Sequence, residues 1–232
     1  MQDPSRLPNL RPKGDHADPY ELPRHRNGTT PQMHGRFPDY NVLDEKRHWD
    51  DETRKVVIDR VENVPKIRFF THEEAETLKA YCDTVTAQDE EPRIPVLSYV
   101  DEKLFTGKRD GYRYHDMPDD GTVWKLVAAG LDHSAKLEWA ARSFAAAPPS
   151  TREDVVSVFS DGKLRGGPWQ QLNVKRAFKL TTRDICQAFY AHPWSWNEIG
   201  FGGPAYPRGY AAFGSGDLGD REQWEPVQAT PR

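Results

Sequence analysis

Residues 68–86 read Arg-Phe-Phe-Thr-His-Glu-Glu-Ala-Glu-Thr-Leu-Lys-Ala-Tyr-Cys-Asp-Thr-Val-Thr. Thr71, followed three residues on by Glu74, is a capping box: the Thr hydroxyl accepts from the third helical amide, and the Glu carboxylate reaches back to the Thr amide. A helix from Thr71 to about Thr86 follows. Its apolar positions Ala75, Leu78, Cys82 and Val85 recur at spacings of 3, 4 and 3, a stripe that faces a core and puts Cys82 on the buried side. Phe70, just before the cap, is placed to staple the entering chain.

Working outward, the same periodicity predicts other helices and no sheet. Asp51 to Val64 fits one helical face, although its Val-Val-Ile run also suits a strand. Ile94 to Leu104 predicts a short helix stopped by Gly107. Thr122 to Ala147 predicts a long one, with Trp124, Val127, Leu131, Ala135, Leu137, Ala141 and Phe144 near one stripe, ended by Pro148-Pro149. Thr151 is placed to cap a helix through Phe159, and a last helix is expected from about Gln170 to Ala191, where His192-Pro193 stops it. The predicted class is mainly α: an irregular helical bundle with an extended Pro-rich N-terminal arm and a long ordered C-terminal loop.

The expected division is 1–48 arm, 49–213 helical domain and 214–232 polar tail. Seven of the 19 prolines fall in the first 40 residues, among polar and charged neighbours. Each fixes its own φ and biases the preceding residue away from helix. Hydrophobic residues make up 36% of the 232 residues; adding the 17 Gly and setting aside the 9 Tyr gives about 40%, below the roughly 45–50% of a soluble globular chain. The shortfall lies in this arm. Tyr20, Phe37, Tyr40 and Trp49 are anchors that a plain spacer would not need, so an arm that orders on a partner is the sharper reading, beside that of a disordered tail.

A net charge of −4 argues against nucleic acid and an anionic membrane surface, both of which favour a basic face. No run approaches the 18 or so apolar residues of a membrane helix, so no membrane insertion is expected. Met1 is followed by Gln-Asp-Pro-Ser rather than by a basic and then an apolar stretch, and a cytoplasmic location is the expectation. Cys82 and Cys186 are too few for an iron–sulfur cluster and lie on apolar faces, so buried thiols are expected; a bridge from Cys186 to a partner arises only outside the cytoplasm.

Dinucleotide, P-loop, H-E-x-x-H and G-x-S-x-G signatures are absent. Eight histidines are scattered without metal-ligand spacing, so no metal site is expected. His115-Asp116 is the best acid–base pair, and an independent sugar-acting enzyme built on it is one alternative. The compositional outlier is Phe189 to Phe213, with eight aromatics in 25 residues interrupted by Gly and Pro. These residues either close the chain's own core or form a contact surface, since Trp, Tyr and Arg dominate binding hot spots. Phe189 and Tyr190 continue the last helix. Trp194, Trp196, Asn197, Phe201 and Tyr206 are the candidate partner contacts.

Two segments carry a family resemblance. Phe69-Phe70-Thr71-His72-Glu73-Glu74, continued by Asp83 to Asp89, resembles the "F-F-T-x-E-E" and "D-x-L-I-P-x-D" patterns of the gluconate 2-dehydrogenase subunit 3 family. Ala188 to Pro193 and Gly200-Phe201-Gly202-Gly203 are similar to its "G-F-x-x-D-P-x-Y-G-G-N" and "I-G-F-P-G" endings. Thr86-Ala87 stands where Ile-Pro is usual, His192 replaces the Asp before Pro, and Trp194-Ser-Trp-Asn replaces Tyr-Gly-Gly-Asn. The resemblance implies a non-catalytic small subunit that binds a large FAD-containing catalytic subunit of the glucose–methanol–choline type, a sugar or glycoside dehydrogenase. No cofactor and no catalytic residue are implied in this chain. A transient folding or export chaperone of the large subunit is the other alternative.

Overall fold

The computed structural model describes residues 41–88, 91, 93–108, 110–111, 113–199, 201–204, 213–214 and 217–218. Among these residues, seven α-helices run in chain order: α1 Asp51–Glu62, α2 His72–Val85, α3 Val96–Phe105, α4 Asp120–Glu138, α5 Pro149–Ser160, α6 Val174–Tyr190 and α7 Pro193–Ile199. The 3-10 helix Val42–His48 precedes α1, and the 3-10 helix Gly167–Gln171 lies between α5 and α6. Phe213–Gly214 and Asp217–Leu218 form a two-residue antiparallel pairing, β1 with β2. The class is mainly α, a helical bundle. Tyr20, Phe37, Tyr40 and Tyr206, with the Pro-rich stretch and most of the tail, lie outside the described residues.

The chain divides into two compact units, one comprising Val64–Ala191 and the other joining Met1–Asn63 to His192–Arg232. The boundaries of these two units fall beside α1 and α7. In the continuous unit, α2 packs on α3, α4 and α5, and α6 packs on the same three helices. Fully buried Tyr81 lies against Trp124 and Phe159, with ring centroids 6.3 and 5.9 Å apart. Phe159 in turn meets Trp169 at 4.9 Å and Phe178 at 5.2 Å. Burial of aromatics at about 150–250 Å² each makes this the main source of hydrophobic stabilisation.

α2 starts as its sequence dictates, with both halves of the capping box formed at Thr71 and Glu74. Other boundaries differ from expectation for local reasons. α4 ends at Glu138, not Ala147, because Ala140 turns into the left-handed region at φ 51°. The amide of Ala141 donates back to the Ala135 carbonyl at 2.9 Å, and that of Phe144 donates to the Asp132 carboxylate at 2.8 Å. Phe144 is therefore buried from a loop, while Leu137, expected on the stripe, is 71% exposed. α5 starts at Pro149, whose missing N–H costs nothing in a first turn, and not at Thr151.

The discontinuous unit departs further. Residues 42–48, expected as extended arm, are a 3-10 helix capped by Asn41, whose side chain accepts from the Leu43 amide. The Gly and Pro of the aromatic segment do not exclude helix either. Pro193 takes the first position of α7, where proline is favoured, and the helix runs to Ile199.

Candidate functional site

The aromatic segment and the stretch before α1 meet in the discontinuous unit. Its apolar core is Val42, Trp49, Val57 and Trp196, with Leu43 packed against it. Around this small core, side-chain amides fix the backbone. Asn197, 1% exposed, accepts from the Val42 amide at 2.8 Å and donates to the Asn41 side chain at 3.4 Å. Gly203, at φ +85°, lies so close that a Cβ there would come within 2.8 Å of Val42 Cγ2 and 3.2 Å of the Trp49 ring. The indole N–H of Trp49 is buried without an acceptor among the described residues.

His192 sits at the start of α7, 2% exposed. Its Nδ1 accepts from the Trp194 amide at 3.2 Å, the N-cap role usually taken by Asp, Asn, Ser or Thr. Ser195, fully buried, donates its hydroxyl to the His192 carbonyl at 2.7 Å. Burial, and then the positive charge of Arg60, push the imidazole down to about 4 against an opposing hydrogen bond to the Arg60 backbone. His192 is therefore neutral at physiological pH, as its acceptor role requires.

The expected contact residues separate accordingly. Trp49, Trp196 and Asn197 are interior to their own unit; Trp194 is half-buried and Phe201 is 39% exposed, with neighbouring Ile199 at 48%. Phe201 meets Trp196 edge-on at 5.4 Å. The own-core reading thus accounts for the deepest residues of the segment, and the surface reading keeps Trp194 and Phe201.

In the continuous unit, His115 and Asp116 are exposed. Desolvation raises the Asp116 carboxyl, but the hydrogen bonds from Arg176 and the backbone, the charge of Arg176 and the hydrogen bond from Asn173 together outweigh it and hold the group low. Asp116 is thereby committed to Arg176, which also stacks over Tyr114 at 4.4 Å. No hydrogen bond joins it to His115 among the described residues, and no group there has three or more His, Cys, Asp or Glu side chains placed to hold a metal.

Two buried carboxylates organise this unit. Asp101, fully buried, accepts from the amides of Arg68, Phe69 and Phe70 at 2.8, 2.9 and 3.1 Å. Asp184, 2% exposed, accepts from Lys103 Nζ at 2.8 Å and from the Trp124 indole at 3.1 Å. Burial lowers and Asp184 raises the Lys103 ammonium, the net being upward; burial, with the charge of Asp184, raises Asp120. An acid within an otherwise apolar helical stripe was the available signal for both.

The family model for gluconate 2-dehydrogenase subunit 3 matches residues 72–203, from the first residue of α2 to Gly203. The chain belongs to this family. No curated protein and no solved structure matches it. Within the matched range, His192 supplies the cap of α7 through its Nδ1, a position where Asp is also favoured. Ala87, just after α2, adopts φ 52°, which a proline ring cannot reach. The loop is closed by Gln88, whose side chain accepts from the Ile94 amide at 2.7 Å and donates to the Ile94 carbonyl at 3.2 Å.

Proposed function

We propose that this chain is the non-catalytic small subunit of a flavin-dependent sugar or glycoside dehydrogenase, bound to a large FAD-containing subunit of the glucose–methanol–choline type. The observation that carries the reading is the family match over 72–203, to a family named for a subunit of a dehydrogenase. The geometry agrees with a structural role. Buried Asp101, Gln88, His192 and Asn197 and half-buried Asp132 each accept from a backbone amide, so these polar side chains serve the chain's own fold.

The contact surface in this reading comprises Trp194 and Phe201 with Ile199, together with the anchors of the N-terminal stretch, Tyr20, Phe37 and Tyr40, and Tyr206. Cytoplasmic residence fits the two free thiols, Cys82 and Cys186, both raised by burial. Full-length chain, co-expressed with a candidate flavoprotein subunit of the glucose–methanol–choline type, is expected to co-purify with it and with its flavin absorbance. A monomeric chain retaining no flavoprotein overturns the proposal. His115→Ala is expected to leave turnover of the reconstituted complex unchanged.

A further inference from the structure

One strongly charged surface is not absorbed by this reading. Residues 162–183 contain Lys163, Arg165, Lys175, Arg176, Lys179 and Arg183 and not one Asp or Glu, in a chain whose net charge is −4. Lys175, Lys179 and Arg183 follow one another at helical spacings of four along α6, and the same side of the helix ends on Tyr190, 51% exposed.

Several cations of the segment are engaged. Lys163 pairs with Asp161, Arg176 with Asp116, and Arg183 with Asp110. Lys175 and Lys179 are exposed and make no salt bridge among the described residues. Lys175 lies in the field of Asp161 without contacting it. Both are unfavourably placed for helix stability: they face each other at i, i+4, and the first turn of α6 carries Lys175 and Arg176 with no acid. A local arrangement that opposes its own helix points to a use outside the fold.

We propose that the outer stripe of α6, formed by Lys175, Lys179, Arg183 and Tyr190, docks an acidic protein face, that of the catalytic subunit. The inference rests on the small-subunit reading above and adds a second contact to it. Arg and Tyr are the residue types that concentrate binding energy at interfaces, and the two exposed ammonium groups supply complementarity and steering. A protein patch suits this surface better than a polyphosphate or an anionic bilayer. Those present charge over distances at which the negative remainder of the chain is repelled, whereas a folded acidic patch engages the stripe alone within a Debye length of about 8–10 Å.

The test measures binding of the full-length chain to the purified flavoprotein subunit between about 50 and 300 mM salt, the range over which surface charges become screened, for wild type, Lys175→Glu/Lys179→Glu and Lys175→Arg/Lys179→Arg. The double reversal is expected to weaken binding about tenfold or more and to flatten its salt dependence, while the Arg pair keeps both. The Tm of the reversal is expected to hold, because an acid at position 175 complements the helix dipole and an acid at position 179 faces Arg183 at i, i+4, which offsets the like-charge pair that the two acids form and the repulsion between position 175 and Asp161. Weaker binding at an unchanged Tm is what a purely structural role cannot give.

Unchanged affinity and salt slope in the reversal overturn the inference and leave the small-subunit reading standing. Transfer of the charge dependence to tRNA or to phosphatidylserine vesicles, with flavoprotein binding unaltered, also overturns it. Wild type that captures no flavoprotein at any salt removes both. Should the double variant lower Tm, Lys179→Glu alone decides: weaker binding at wild-type Tm upholds the stripe, and wild-type binding overturns it.

Discussion

The unit from Val64 to Ala191 buries Trp124, Tyr81, Phe144, Phe159, Leu78, Leu131 and Ile185 almost completely, whereas the unit joining the N-terminal stretch to His192 and beyond closes on Val42, Trp49, Val57 and Trp196. Both also bury polar side chains, but in different proportion. In the first, Asp101 and Asp184 sit within a large apolar core. In the second, Glu45, His192, Ser195 and Asn197 are as numerous as the four buried apolar residues. A small core cannot by itself offset the entropy of ordering its chain, so hydrogen bonds carry a larger share of the stability in the discontinuous unit.

The largest way to break this contrast is Asp101→Ala. Three backbone amides would lose their acceptor, and a cost of about 3 kcal/mol is expected in urea unfolding, through the packing of residues 68–70. If the cost fell below about 1 kcal/mol, the large unit would be governed by its apolar core alone.

Acid should act on the smaller unit. Its imidazole at about 4 lies below the ordinary value of 6.5, so below pH 6.5 the unfolded chain binds a proton that the folded His192 does not. Stability is fully present above pH 6.5 and falls as pH drops toward 4, by about 2 kcal/mol at pH 5. His192→Asp, which restores the family's residue at this cap, is expected to remove that loss between pH 6.5 and 4. Hydrogen exchange at the Val42 amide reads it directly.

Asn197→Ala leaves the buried Val42 amide without its partner, at an expected cost of about 1.5 kcal/mol. Exchange at Val42 should accelerate about tenfold while that of the Phe70 amide is unchanged. Equal acceleration at both would mean that the two units open together. The smallest effect is a gain: Ala87→Gly relieves a left-handed alanine and is expected to stabilise by about 0.5–1 kcal/mol, visible as a raised Tm.

The same contrast governs what could be read from sequence. Thr71 and Glu74 act through bonds a few residues apart, so the start of α2 was legible to the residue. The end of α4 was not, because Ala140 turns left-handed without a Gly to announce it, and the run of Ala and Phe144 continued the helical period past the turn. Aromatic density marked 189–213 but could not say which rings turn inward. Trp196 and Trp194, two residues apart, differ because one meets Val42 and Trp49 from a distant part of the chain. Asn197 was named as a candidate contact, yet its partners, Asn41 and Val42, lie 156 and 155 positions away. No periodicity carries that information.

The divided origin of the smaller unit sets a schedule for biosynthesis. Val42, Trp49 and Val57 leave the ribosome long before Trp196, with all of Val64–Ala191 made in between. At elongation rates of about 5–20 residues per second, that delay is on the order of ten seconds, far longer than hairpins and helices take to form. During it the early tryptophan and valines have no cover from α7. The nascent chain therefore presents sticky apolar groups near its front end until the last part has been translated, and a holding chaperone has its natural window there.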